Sequence, residues 1–270
     1  MGGDYRGITA LVTGASKGLG RAYALELARR GARVILLARS EQGLRRLAEE
    51  IRQRHGGPLP EVIVVDLTAP EAPERCLEEL RRRGLTVDLL INNAGAGSAG
   101  PFLDRPLTPQ LRSVELNVGG LLGLTHGIGR EMAARGSGGI INVSSTAGFQ
   151  PMPYQASYAA TKAFVLSFTE ALAEELRGTD VRVMAAHPGA IATGFFDGTS
   201  ATIGPAADSP ETIASQTLDD YARGRRASYP GRCVNRMLTW PVRLLPRTVV
   251  TRGTGAFNRR LRLHQVVDIT

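Results

Sequence analysis

An α/β fold built on a doubly wound parallel sheet is what this sequence predicts, and three observations carry the prediction. Short β-branched runs alternate with amphipathic stretches over the first two thirds of the chain. A glycine-rich turn follows the first of those runs. The length, 270 residues with 43% hydrophobic composition, suits one domain with a substantial core. Parallel strands joined through helices need right-handed crossovers, and these lay helices on both faces of the sheet.

The runs at 8–13, 33–38, 61–66, 87–91, 139–144 and 181–187 read as strands, and about seven strands are expected in all. Between them, 19–30, 41–54, 72–83, 109–135 and 155–177 carry helical periodicity. After His187 the rhythm breaks into a loop rich in Gly, Ala and Thr at 190–208. Ser209-Pro210-Glu211 then supplies an N-cap and a proline at the first helical position, and Gly224 marks the stop. A single domain over 1–270 is expected, with a substrate loop or lid and helix at 190–224 and a basic C-terminal extension at 231–270.

The formal charge of +8 is distributed unevenly. Residues 221–270 hold 11 arginines and one acid, so residues 1–220 carry a net charge of −2. A near-neutral body with a basic tail, and no known nucleic-acid-binding module in that tail, argues against a nucleic-acid-binding domain. Cys76 and Cys233 lie far apart with no paired spacing, which points to reduced thiols rather than a disulfide framework or zinc site. The sequence contains no cluster of metal-spaced ligands, so no metal is expected. Without a run of about 20 apolar residues, and with an N-terminus that leads directly into a strand, a cytoplasmic protein is expected.

The run at 8–13 passes into Thr13-Gly14-Ala15-Ser16-Lys17-Gly18-Leu19-Gly20 and then a helix, the context a dinucleotide site requires. Gly14 permits the tight turn, Gly18 lets the backbone approach a pyrophosphate, and Gly20 allows close helix packing at an N-terminus rich in N–H donors. Arg39 ends the second run where an acid would favour NAD, and Lys17 is a second cation within reach of a 2′-phosphate. NADP(H) is therefore the expected cofactor. The chain has only two lysines, Lys17 and Lys162, against 31 arginines, which suggests that an ammonium is needed at both places.

Together with Asn92-Asn93-Ala94-Gly95 after the fourth run and Tyr158-x-x-x-Lys162 on a later helix, this glycine spacing resembles the short-chain dehydrogenase/reductase family over roughly residues 8–230. The resemblance implies a Rossmann fold and a catalytic set of Asn117, Ser145, Tyr158 and Lys162. It also implies cofactor contacts at Gly14, Ser16, Lys17, Gly18, Leu19, Gly20, Arg39, Asp66, Leu67, Asn93, Ala94, Gly95, Tyr158, Lys162, Pro188, Gly189, Ile191 and Thr193. Asp66 resembles the family's adenine-contacting acid, Thr193 its carboxamide contact, and Asn117 an asparagine whose helix opens locally to hold a water linked to the lysine.

The residue types fit that chemistry. Hydride transfer to a carbonyl leaves negative charge on oxygen, so a proton donor and a stabilising dipole are required. Tyr158 and Lys162, four apart, share one helix face about 6 Å from each other, and a cation there is expected to depress the phenol's pKa. Ser145 stands thirteen residues before Tyr158, the family's spacing; its neighbour Ser144 is the alternative, although alternation along a strand points the two to opposite faces. His187 could serve as a general base, but its place before Pro188-Gly189 suits a structural histidine better.

The substrate side is apolar, with Phe149, Met152, Tyr154, Phe195 and Phe196 expected around Ser145, and a hydrophobic ketone or alcohol as the small-molecule partner. The stretch 194–204 is a candidate lid. A homodimer or homotetramer through 109–135 and 155–177 is implied by the family. The tail segment 235–247 mixes Met237, Leu238, Trp240, Leu244 and Leu245 with Arg236, Arg243 and Arg247. It reads as packing on its own domain with the arginines in solvent, or as a cap on the pocket side with weak attraction for acidic partners or a membrane surface, and Pro241 and Pro246 argue against one continuous helix. A dinucleotide-sensing protein without turnover is the competing class, and the proton-transfer set counts against it.

Overall fold

The computed structural model describes residues 3–194, 200 and 207–267. Seven parallel strands form one sheet in the order β3-β2-β1-β4-β5-β6-β7. They are β1 (Thr9–Thr13), β2 (Arg33–Ala38), β3 (Glu61–Val64), β4 (Leu89–Asn92), β5 (Gly138–Val143), β6 (Val181–Ala186) and β7 (Ala227–Ser228). Strand order reverses between β1 and β4, and a crevice opens there at the carboxyl ends of the strands.

Both sheet faces are buried, so successive residues of a strand serve different cores. Ala10 and Val12 of β1, Leu36 of β2 and Ile91 of β4 face one core with α1 (Gly18–Arg29), α2 (Glu41–His55) and α7 (Pro210–Ala222). Leu11, Ile35, Leu37 and Leu90 face the other with α3 (Ala72–Arg82) and α5 (Gly120–Arg135). Helix α6 (Ala156–Glu175) lies against β6 and brings Tyr158 and Lys162 to the crevice. The capping expected at Ser209 is made: its hydroxyl accepts from the Thr212 N–H at 3.2 Å, with Pro210 opening the helix.

The single helix expected over 109–135 is three segments: α4 (Leu107–Val114), a π turn (Glu115–Gly119) and α5. Widening one turn carries Asn117 inward, where it is fully buried. The prolines divide the tail as anticipated, into α8 (Cys233–Leu238), α9 (Pro241–Leu244) and α10 (Arg247–Arg260). Pro241 starts α9 and Pro246 caps α10. Among the described residues, no helix is long and apolar enough to cross a membrane, and no group of metal-ligating side chains forms.

Candidate active site

The crevice at the strand reversal is a cleft of about 1050 Å³. Its dinucleotide half is built by the β1–α1 turn. Gly14 and Gly18 take left-handed conformations, φ 66° and 56°, open to glycine without strain. Gly20 has another reason: a Cβ there would stand 2.3 Å from the Gly14 carbonyl oxygen. Across the turn, Thr13 Oγ1 accepts from the N–H groups of Asn93 and Ala94, both at 2.9 Å, and Asn93 Nδ2 donates to the Thr13 carbonyl at 2.9 Å. The Asn-Asn-Ala-Gly segment is thus a clamp that fixes the loop after β4 against the glycine turn. Its first asparagine, Asn92, faces inward and donates to Thr125 and Asn142, each at 2.9 Å.

Gly14, Ser16, Lys17, Gly18, Leu19, Gly20, Arg39, Leu67, Asn93, Ala94, Gly95, Pro188, Gly189, Ile191 and Thr193 all line the cleft, and Thr193 stands against the glycine turn, 3.3 Å from where a Cβ on Gly18 would lie. Asp66 is not among the residues that line the cleft. Its carboxylate accepts from the Thr68 N–H and hydroxyl and stands 3.9 Å from Arg39, while the flanking Val65 and Leu67 line the cleft. The chain leaves β3 at Val64 and turns after Asp66, with the Ala69 N–H donating to the Asp66 carbonyl at 3.1 Å. Two lining residues had no motif to announce them: Arg46, six residues beyond the Ser40 cap of α2, and Gly43, whose missing side chain leaves room for Ser16. A glycine in the first turn of a helix that has no other was the available signal.

Ser145, Tyr158 and Lys162 meet on the cleft floor. Ser145 leaves the end of β5 and caps the short turn after it, accepting from the Ala147 N–H at 3.1 Å. Ser144 turns away and donates to the Lys162 carbonyl at 2.7 Å, which removes it as the alternative. The Lys162 ammonium, 5.9 Å from the Tyr158 ring, donates to the Val143 carbonyl at 2.8 Å. Burial lowers its pKa to about 8. Burial also pushes the Tyr158 phenol up to about 12, partly offset by its hydrogen bond with Ser145. The expected depression of the tyrosine is therefore not present: loss of hydration outweighs every stabilising contact on the phenolate.

Asn117 stands behind this set. Its Oδ1 accepts from the Ala96 N–H, and its Nδ2 donates to the Ala96 carbonyl and to Thr161 Oγ1, each at 2.9 Å. Thr161 Oγ1 donates in turn to the Tyr158 carbonyl at 2.7 Å. One buried amide thus joins the loop after β4 to the helix that carries Tyr158 and Lys162.

On the substrate side Met152 lines the cleft as expected, whereas Phe149 and Tyr154 do not. Phe149 packs edge-on against His187 at 4.9 Å with the Arg243 guanidinium 4.7 Å above its ring. Tyr154 adopts φ 69° and stands beside His264 at 6.0 Å. Gln150 and Gln155 take their places at the wall. Phe195 and Phe196 lie outside the described residues. His187 is fully buried with neither ring nitrogen hydrogen-bonded among the described residues, and burial lowers its pKa to about 3. It faces Phe149 and Tyr229, away from the cleft floor.

The roof of the substrate side comes from a part of the tail other than the one expected. Phe257, Asn258, Leu261 and Leu263 line the cleft, while of the segment 235–247 none does. Helix α10 is tied down by Thr254 Oγ1 donating to the Pro151 carbonyl at 2.9 Å and Asn258 Nδ2 to the Pro153 carbonyl at 2.8 Å. Beyond it, Val267 exchanges hydrogen bonds with Ser200.

A family model described as short chain dehydrogenase matches residues 8–203. A short chain dehydrogenase of Pseudocercospora fijiensis is 37% identical over 191 residues, 70% of this chain and 61% of the relative. The chain covers a smaller share still, 31%, of several mycobacterial relatives. Among solved structures, a short-chain dehydrogenase from Sphingobium yanoikuyae in complex with NADPH superposes with a TM-score of 0.76 at 31% identity, covering 82% of this chain and 87% of that one. A 7β-hydroxysteroid dehydrogenase superposes with a TM-score of 0.81 at 28% identity, covering 93% and 97%.

Proposed function

Because this chain belongs to the short-chain dehydrogenase family, we propose that it is an NADPH-dependent carbonyl reductase or alcohol dehydrogenase acting on a hydrophobic ketone or secondary alcohol. The observation that carries the proposal is the meeting of Ser145, Tyr158 and Lys162 on the floor of a cleft whose other end is a glycine cradle. That cradle fits a dinucleotide: left-handed Gly14 and Gly18 hold the turn open, and at Gly20 even a methyl group would strike backbone.

When bound, the nicotinamide supplies hydride to, or takes it from, the substrate carbon. The residues of the chain handle the oxygen. Ser145 orients the carbonyl through its hydroxyl, and Tyr158 gives the proton to, or takes it from, that oxygen. A phenol held near 12 is protonated at neutral pH, which suits the donor role in reduction. Lys162 keeps a cation beside the phenol as it loses its proton, and Asn117 holds the helix and loop in register behind it. Arg39, Arg46 and Lys17 supply positive charge at the adenosine end, which favours a 2′-phosphate. The NADPH named for the Sphingobium structure agrees with this preference.

Apolar lining by Met152, Phe257, Leu261 and Leu263 favours a bulky hydrophobic substrate, as does the likeness to a hydroxysteroid dehydrogenase. Assembly into a homodimer or homotetramer is supported by apolar side chains exposed on and before α4 and on α6, including Leu103, Leu107, Leu111 and Phe164. The test is Tyr158→Phe against a panel of ketones with NADPH and with NADH. The native chain is expected to oxidise NADPH preferentially. The variant is expected to lose about a thousandfold in kcat while still quenching its fluorescence on binding NADPH. Binding without turnover by the native chain would favour a dinucleotide sensor.

A further inference from the structure

The C-terminal segment is built inside out. Arg236 lies 5.5 Å over the Tyr229 ring, and Arg243 lies 4.7 Å over Phe149 with Nη2 3.4 Å from the Tyr229 hydroxyl. These two exposed cations lie on rings of the body, and Asn235 Nδ2 ties α8 to Asp208 at 3.1 Å. The apolar residues between them point outward: Met237 is 68% exposed, Trp240 60% and Leu244 83%, with Leu238 and Leu245 also exposed. Along α10 and just after it, Arg247, Arg252, Arg260 and Arg262 make no ion pair with a carboxylate among the described residues, and every one is exposed. From Tyr221 to Val267 the sequence contains no Asp or Glu at all.

From this arrangement we propose that α8, α9 and the start of α10 form a docking surface for an anionic lipid bilayer, with Met237, Trp240 and Leu244 entering the acyl boundary and the arginines engaging headgroup phosphates. Charge complementarity selects the occupant. A second copy joined through the same face would bring these arginines together with no acid to meet them, whereas an anionic leaflet neutralises them. Outward Trp and Leu flanked by arginine is the composition an interfacial helix needs, and the segments here are already folded, so no ordering cost opposes binding. The same helix α10 that begins this surface carries Phe257 of the cleft roof. On the hydride-transfer reading, an apolar substrate dissolved in the bilayer would then have a short path to Tyr158.

Trp240 is the sole tryptophan of the chain and reports directly. The full-length protein, with neither cofactor nor substrate, is titrated with phosphatidylcholine vesicles and with vesicles of phosphatidylcholine and phosphatidylglycerol. The expected result is a blue shift and enhancement of Trp240 emission with the mixed vesicles, with partitioning at least roughly tenfold stronger than to phosphatidylcholine alone. Leu244→Glu is expected to weaken that partitioning about tenfold, and Arg247→Glu with Arg260→Glu to remove the preference for anionic lipid, with melting temperatures unchanged. An unchanged emission spectrum with mixed vesicles would overturn the proposal. So would equal binding to both vesicles, or a concentration-dependent shift without lipid that sediments as an oligomer formed through this face. Failure of the proposed reaction would leave all these outcomes as they stand, since no turnover is measured.

Discussion

The body of the molecule and its tail follow opposite rules. In the body, apolar side chains fill two cores and cations meet carboxylates: Arg30 is buried against Glu26 and Asp219, and Arg21 is held by Glu50. From Arg236 onward, arginines lie over aromatic rings or in solvent while Trp240 and Leu244 stand outside. The body is stabilised from within, so each of its buried groups matters to folding. The tail is tied to the body at a few points, and its outer side chains bury little on folding.

Substitutions can break or sharpen this contrast. The largest effect is expected at Gly20→Ala, where the added methyl would meet the Gly14 carbonyl at 2.3 Å and Asn93 Nδ2 at 2.6 Å. Overpacking of that kind costs about 1–3 kcal/mol, and the displaced turn should weaken NADPH binding by roughly a hundredfold in a fluorescence titration. Next comes Lys162→Met. A lysine whose folded pKa is lowered to about 8 from its ordinary 10.5 opposes folding most at and below pH 8, and the penalty fades as pH rises towards 10.5, where the unfolded lysine also loses its proton. Removing it should abolish turnover yet raise stability at pH 7 by about 1–3 kcal/mol, with the gain vanishing near pH 10.5 in urea titrations.

His187→Phe should act on the acid side. With its folded pKa near 3 against an ordinary 6.5, the buried imidazole binds a proton in the unfolded chain before it does in the folded one. Stability is therefore lost as pH falls from 6.5 towards 3. A phenyl ring between Phe149 and Tyr229 should flatten that limb, gaining up to about 2 kcal/mol at pH 5 and little at pH 8. The smallest effect is expected at Leu244→Glu, within about 0.5 kcal/mol by thermal melting, because that side chain leaves no core when it changes. A large loss there would show that the tail is folded by the body's rules after all.

The same contrast explains what could be read from the sequence. Strand and helix positions in the body follow from residues whose local pattern agrees with their final burial, as at Leu11 and Val12, which serve opposite cores. The glycine turn and the Tyr158–Lys162 spacing place chemistry on those elements for the same reason. The π turn at Asn117 has no periodicity of its own, since a lone asparagine in a helical stretch reads as a buried polar residue until its partners at Ala96 and Thr161 are known. Phe149 and Tyr154 were assigned to the cleft by apolar character alone. Their true neighbours, Arg243 and His264, come from about a hundred residues downstream. No local signal could show that α10 rather than 235–247 roofs the cleft, because the decision rests on two carbonyls, Pro151 and Pro153, that accept from Thr254 and Asn258.

Those two carbonyls lie in the loop between Ser145 and Tyr158, so the roof is fastened to the very segment that spaces the proton-handling groups. The glycine turn and α6 thus build the floor of the cleft, and α10 builds what stands above it. On the proposed reaction, substitution at Phe257 or Leu261 is expected to change the range of ketones turned over while Ser145, Tyr158 and Lys162 stay where they are, which kcat/KM across a graded ketone panel would check.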